Sequence, residues 1–310
     1  MPDILPATLL HVALTKSAPL TLAAIGGLLS ERAGVVNVGL EGAMLAGAYA
    51  AAVGSLATGN PWSGLLIGGA AGAALGLLHA FACIRLRSDH ILSGVAVNLL
   101  ALGGTGFLLF RAFGVHGNTP TVPKLPPWSI PGLNALPVFG PALRVPPTVC
   151  LALAAAAVAH LVLYRTAWGL RLRAVGEHPG AALSAGVRVR RIQYVGVTLA
   201  GLLAGWGGAH LSLGDLSQFV ERMTAGRGFV ALAALICGRW NPLGTLTACL
   251  SFGFAEAFAE GLQTEGSALP SQFFLALPFI LTLGVLAGFA GKARPPGALG
   301  RRVGEEGMSP

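Results

Sequence analysis

Apolar runs bounded by polar or Gly/Pro clusters divide almost the whole chain. They run from Ile4 to Leu29, Val38 to Gly54, Gly64 to Ile84, Ile91 to Phe110, Thr148 to Tyr164 and Val195 to Leu213, then Phe229 to Cys237, Gly244 to Leu262 and Phe273 to Phe289. Most approach the roughly 20 residues that cross a bilayer at 1.5 Å per residue. The run at Phe229 is too short to span and reads as a broken or re-entrant element. The pattern predicts one all-α domain over residues 1–310, a polytopic transmembrane bundle of about 8–10 segments. Between the runs lie a loop at 111–147, a loop at 165–194 and a tail at 290–310.

Composition agrees, because 54% of the 310 residues are hydrophobic and only 10% charged, against roughly 25% charged in soluble domains. So few charges cannot cover a water-facing surface, and membrane lipids are the expected surroundings. The net charge of +8 sits in short loops, not on a periodic polar face, so it reads as a topology signal and no nucleic-acid partner is expected. Arg165, Arg171, Arg173, Arg188, Arg190 and Arg191 in one loop, with Lys292, Arg294, Arg301 and Arg302 in the tail, place both inside the cell. Arg85, Arg87 and Arg239 follow, the Pro-rich stretch Gly114 to Pro147 falls outside, and nine crossings put the N-terminus out and the C-terminus in. Trp62 and Trp128 then mark the outer interface and Trp168 and Trp240 the inner one, whereas Trp206 fits neither. The first run has no basic leader and is interrupted by Thr15, Lys16 and Ser17, so it is expected to remain in the mature protein.

Gly68, Gly69, Gly72 and Gly76 on the third run are spaced to let helix backbones approach closely. Cys83, Cys150, Cys237 and Cys249 show no C-x-x-C pairing, the histidines no metal-ligand spacing, and no phosphate-binding G-x-x-x-x-G-K-[ST], H-E-x-x-H or G-x-S-x-G sequence occurs. No cofactor, metal or ATP site is expected, and an intramembrane enzyme is disfavoured.

Candidate chemistry lies in polar residues at membrane depth. In SERAGVVNVGLEG, Ser30 to Gly42, the residues Glu31, Arg32, Asn37 and Glu41 interrupt apolar sequence, as in backbone lining a cavity or a broken helix. Asn37 and Glu41 would share a helical face. Equally, Glu31 and Arg32 can cap a helix at the inner interface while Glu41 pairs locally. Glu256 and Glu260 form a second i, i+4 pair; Glu260 reads as solvated near the outer surface, and Glu256 is open between solvation and a cavity-facing role. Asn98, midway along the fourth run, bonds either a solute or a neighbouring helix, and Lys16 either snorkels or joins the cavity. In the basic loop, Pro179 can start and Gly186 end a short Ala-rich helix. Read from composition, that loop is an ordinary positive-inside connection.

Three stretches carry a resemblance: SERAGVVNVGLEG at Ser30 to Gly42, GLRLRAVGEHPGAALSAGV at Gly169 to Val187, and MTAGRGFVALAALICGRWNPLGT at Met223 to Thr245. The chain resembles the permeases of ABC importers for ribose, other simple sugars and nucleosides, and within them the nucleoside branch, from about Ala13 to Gly288. The resemblance implies an importer fold of the type II kind in a bacterial cytoplasmic membrane, with the solute pathway in this chain and ATP hydrolysis in a partner ATPase. It implies a different chain as second permease and a lipoprotein that captures solute outside. It makes Glu177, His178, Pro179, Gly180, Ala181, Ala182 and Gly186 the coupling element that docks into the ATPase, with Gly180 and His178 departing from the Glu and Asn frequent in relatives. It also implies that a first span common in ribose-type relatives is missing here. A secondary transporter and a non-catalytic assembly subunit are the competing readings.

Overall fold

The computed structural model describes residues 4–129, 144–264, 284 and 294–301. Ten α-helices account for most of them: α1 Ile4–Arg32, α2 Leu40–Thr58, α3 Pro61–Ala80, α4 His90–Phe113, α5 Pro147–Arg165, α6 Ala167–Glu177, α7 Pro179–Ser184, α8 Val189–Ala209, α9 Arg227–Cys237 and α10 Pro242–Thr264. α3 and α8 each continue into a π-helical turn, Phe81–Arg85 and His210–Asp215. A two-residue antiparallel pair joins Trp128–Ser129 to Arg144–Val145. Five helices, α1 to α5, are long and apolar enough to cross a membrane; α8 and α10, of 21 and 23 residues, are comparably long. The run expected over Phe273 to Phe289 lies outside the described residues.

Local chemistry explains the helix ends. Asn60 accepts a hydrogen bond from the Trp62 amide ahead of Pro61, the first residue of α3, and Asp89 accepts from the amides of Ile91 and Leu92 to begin α4. These are N-cap arrangements that satisfy donors no helical carbonyl can reach. Gly59 and Gly114 end α2 and α4 in the left-handed region, where the missing Cβ removes the steric cost.

α8 occupies the centre, packed against α1, α2 and α3, while α10 and α5 flank α1 and α2 pairs with α3 as a hairpin. The glycines of α3 are used as their spacing predicts. A Cβ on Gly72 would lie 2.2 Å from the Gly201 carbonyl oxygen, and one on Gly201 would lie 2.3 Å from the Gly72 oxygen. Backbones meet directly at that crossing, which is how helices gain packing where lipid supplies no hydrophobic drive between them. Gly72→Leu should therefore cost about 3 kcal/mol or more by overpacking, read as a lower melting temperature and loss of the monodisperse fraction in detergent. An unchanged melt would refute the contact.

The periphery is α4. Its apolar window is 28% buried, against 83% for α1, and Leu92, Leu99 and Phe107 stand outward. Arg32, Arg85, Arg165 and Arg239 end or follow helices at one end of the bundle. At the other, Trp62 and Trp128 contact each other with ring centroids 5.6 Å apart. Trp240 lies at the end expected for it but is enclosed by protein. It is 5% exposed, and its indole N–H donates to Glu31 Oε2 at 2.6 Å while Arg32 Nε donates to its carbonyl at 2.9 Å. The turn between α9 and α10 thus plugs onto the end of α1, so buried Glu31 is anchored there and is not a solvated cap. Trp206 lies over Gly69, whose Cβ would meet the indole nitrogen at 2.4 Å.

Candidate functional site at two facing helix starts

Two helices begin inside the bundle instead of at its surface. Between α1 and α2 the chain is non-helical from Ala33 to Gly39, because Gly34 and Gly39 and the β-branched Val35, Val36 and Val38 disfavour continuing the helix. α9 has 11 residues, roughly 16 Å at the α-helical rise, about half a bilayer core. The preceding Ser217 to Gly226 contains three non-glycine residues with positive φ, Ser217, Arg222 and Ala225. A helix too short to span is thus completed by non-helical chain, tolerated at such depth where it is covered by protein.

The two starts are tied to one another. Glu41, in the first turn of α2, accepts hydrogen bonds from the amides of Gly226 (2.8 Å, Oε1) and Gly228 (2.6 Å, Oε2). A carboxylate there satisfies orphan donors and complements the positive end of the α9 dipole. Gly228 permits the approach, since a Cβ on it would lie 2.5 Å from the Glu41 backbone. Between those glycines, Arg227 donates from Nη2 to Glu256 Oε1 at 2.7 Å and from Nη1 to the Met223 carbonyl at 3.4 Å. The Arg227 and Glu256 side chains are 23% and 28% exposed, so this ion pair is largely shielded yet reachable.

Of the four pathway candidates, Glu41 and Glu256 come together around the α9 start. Asn98 holds the α2 start from the other side: its Nδ2 donates to the Val38 carbonyl at 3.0 Å and its Oδ1 accepts from the Gly42 amide at 2.8 Å. Its amide is committed to neighbouring backbone. Asn37 is buried, but α2 begins at Leu40, so the shared helical face expected for Asn37 and Glu41 does not exist. Lys16 lies 3.4 Å from Glu260 and 4.0 Å from Asp215. Glu260, 55% exposed, is half-solvated and has a cationic partner. Sequence reasoning assigned no role to Arg227; a single Arg inside Gly-Arg-Gly next to a short apolar helix was the available signal.

The coupling candidates form a second locus at the arginine-rich end. α7 starts at Pro179, and Gly186, at φ +79°, follows its last turn. The preceding α6 is an additional helix, capped by Thr166, whose hydroxyl accepts from the Gly169 amide. Ala181, His178 and Gly186 are exposed, Gly180 is half-buried, and Pro179 and Ala182 are buried. Ala182 packs with Leu172, Val175 and Val189 in the core under α7, so it seats this helix on its own bundle. Leu183, 61% exposed, is the large apolar side chain on the outer face. Glu177 lies 3.8 Å from Arg32 and accepts from the Gly297 amide, linking α6 to α1 and to the tail.

Comparisons with known proteins fit this arrangement. Residues 9–291 match the family described as "Branched-chain amino acid transport system / permease component". The guanosine ABC transporter permease protein NupQ of Bacillus subtilis is 42% identical, covering 96% of this chain and 95% of the relative. The nucleoside ABC transporter permease protein NupC of Lactococcus lactis is 40% identical over 93% of each chain. A putative glucose ABC transporter permease protein of Haloferax volcanii, TsgC13, is 40% identical over 87% of this chain and 82% of its own length. With five apolar membrane-length helices and a family match over nearly the whole length, the chain belongs to the branched-chain amino acid transport system permease family and is the multi-pass membrane permease of an ABC importer, working with a separate ATPase and a separate solute-binding protein.

Proposed function

We propose that the imported solute is a nucleoside, passing the polar locus formed by Glu41, Arg227 and Glu256. The observation that carries this reading is the meeting of two helix starts at which carboxylates and a guanidinium remain part-exposed inside the bundle. Ionisable groups at such depth mark solute pathways. Nucleosides are neutral and carry ribose hydroxyls and base N–H groups. Carboxylate oxygens accept from both, and a guanidinium donates to base carbonyls. Two of the relatives named above carry the names of nucleoside or guanosine permeases, and the third that of a putative glucose permease. Proteoliposomes holding the whole complex should accumulate labelled guanosine on ATP addition, with excess glucose or leucine failing to compete. Competition by glucose alone would move the substrate class to sugars, and by leucine alone to branched amino acids.

The arginine-rich end is assigned to the cytoplasm of a bacterial cell, with the N-terminus outside, from the excess of Arg in its short connections. Cysteine labelling tests this assignment. Thr121 and Ser184 are both exposed, one at each end, whereas Gly176 is unsuitable because a Cβ there would lie 2.2 Å from the Arg32 carbonyl oxygen. A membrane-impermeant thiol reagent should modify Thr121→Cys in intact cells and Ser184→Cys only after permeabilisation. The reverse would invert the orientation. The second permease is assigned to a different chain. Two guanosine ABC transporter permease proteins of Bacillus subtilis, NupQ and NupP, are 42% and 25% identical to this chain, which supports unlike halves; differential tagging in the native complex should recover one copy of this chain, and two would make it a homodimer.

A further inference from the structure

A shallow cleft at the arginine-rich end, open to solvent, is not used by the proposed pathway or by α7. Three arginines from separate parts of the chain border it: Arg87 from the turn between α3 and α4, Arg190 from the first turn of α8, and Arg301 from the tail. All three are exposed, and none forms an ion pair with a described residue. Arg32 and Arg227, by contrast, each have a carboxylate partner. The nearby Asp89, whose carboxylate accepts from the amides that begin α4, offsets only one of the three guanidinium charges.

The floor of the cleft adds an independent sign. Gln193, one turn along α8 from Arg190, is 4% exposed and lines the cleft. Its Nε2 donates to the Ala33 carbonyl at 3.3 Å, but its buried Oε1 has no hydrogen-bond partner among the described residues. An unmet buried acceptor costs about 1–3 kcal/mol and calls for a donor. The start of α8 has no side-chain cap among the described residues, which leaves the backbone amides of Arg190 and Arg191 in its first turn as further donors. A ligand suited to this set presents several anionic oxygens to guanidinium groups and one hydroxyl to Oε1.

We propose that the cleft binds a phosphoryl anion, a phosphate monoester or hydrogen phosphate carrying a P–OH, or the headgroup of an anionic phospholipid. Guanidinium forks match phosphate oxygens bidentately, and the P–OH or a glycerol hydroxyl donates to Gln193. Bound there, the anion bridges three segments that flank Ala33 to Gly39: the tail, whose Gly300 amide bonds the Gly34 carbonyl at 3.0 Å, the start of α4 and the start of α8. It would hold the non-helical entry to α2 in place. Placement of the cleft on the cytoplasmic side rests on the orientation proposed above; binding itself does not depend on orientation or on the imported solute.

The test uses the detergent-purified complex, with two probes. Inorganic phosphate should raise its melting temperature above that in chloride at matched ionic strength, with apparent affinity falling about tenfold for each of Arg87→Gln, Arg190→Gln and Arg301→Gln. Native mass spectrometry after reconstitution in mixed phosphatidylglycerol and phosphatidylcholine identifies the lipid source: retention of phosphatidylglycerol by the wild type and its loss in the same variants assigns the site to a headgroup. Arg171→Gln, an exposed arginine elsewhere on this end, should change neither. If neither probe separates the three variants from wild type, or if Arg171→Gln is equally affected, the arginines are an ordinary basic face and the proposal is overturned. Solute uptake is not a readout, so a wrong substrate assignment leaves this result intact.

Discussion

Replacing both partners of the shielded ion pair, as Arg227→Met with Glu256→Met, should leave the bundle folded and abolish uptake. Arg227 and Glu256 meet at 2.7 Å with about three-quarters of each side chain covered. Removing one partner strands the other, which for a shielded pair costs about 3 kcal/mol or more, whereas exchanging both for apolar residues of similar volume is often near neutral. Each single substitution should therefore lower the melting temperature sharply, and the double variant should recover to within about 1 kcal/mol of wild type. Transport separates the two roles. If the pair is needed only for packing, recovered stability brings recovered uptake. If it lines the solute path, uptake stays at least about a hundredfold down in the well-folded double variant. Full transport by that variant would remove Arg227 and Glu256 from the pathway and leave Glu41 to be tested alone by Glu41→Gln, which keeps an acceptor for one α9 amide and removes the charge.

Apolar run length made the helices legible, and the shortness of the run at Phe229 foretold α9 within a residue or two. Polar groups at membrane depth also led to Glu41 and Glu256. Their partners stayed hidden for a physical reason. Glu41 is satisfied by amides 185 and 187 residues further on, and Asn98 by backbone groups 56 and 60 residues away. In a membrane, moreover, lipid and protein interior are equally apolar, so hydrophobic periodicity does not reveal which helix face is buried. Trp240 illustrates the consequence: a Trp beside an Arg at a run boundary has the pattern of an interface anchor, yet its indole N–H donates to buried Glu31 and its carbonyl accepts from Arg32. Glycine spacing was the more informative signal: Gly68, Gly69, Gly72 and Gly76 marked the face of α3 on which backbones meet, although their partner Gly201 on α8 was not singled out.

The largest effect expected at the arginine-rich end concerns α7. Family membership puts ATP hydrolysis in another subunit, so force has to enter this chain through an exposed surface, which we propose lies at the arginine-rich end. α7 fits that proposal because its inner side is already committed while its outer side is not. Ala182 and Pro179 are buried against the bundle, whereas Ala181, Leu183, Ser184 and Ala185 face outward. An exposed Leu on a helix of small residues is an anchor that a groove can enclose. Ala182→Trp is therefore a poor probe: the new side chain would displace α7 from Leu172 and Val189, and failure would report misfolding. Leu183→Glu alters the outer face alone. It should leave the melting temperature of the isolated permease unchanged, since 61% of that side chain is already exposed, yet weaken ATPase association by about 2 kcal/mol, roughly thirtyfold in affinity. ATP-driven uptake should fall in parallel. Leu183→Met, similar in volume and polarity, should retain both activities. If Leu183→Glu and Ala181→Trp associate with the ATPase and transport as the wild type does, α7 is an ordinary connection and the force enters elsewhere.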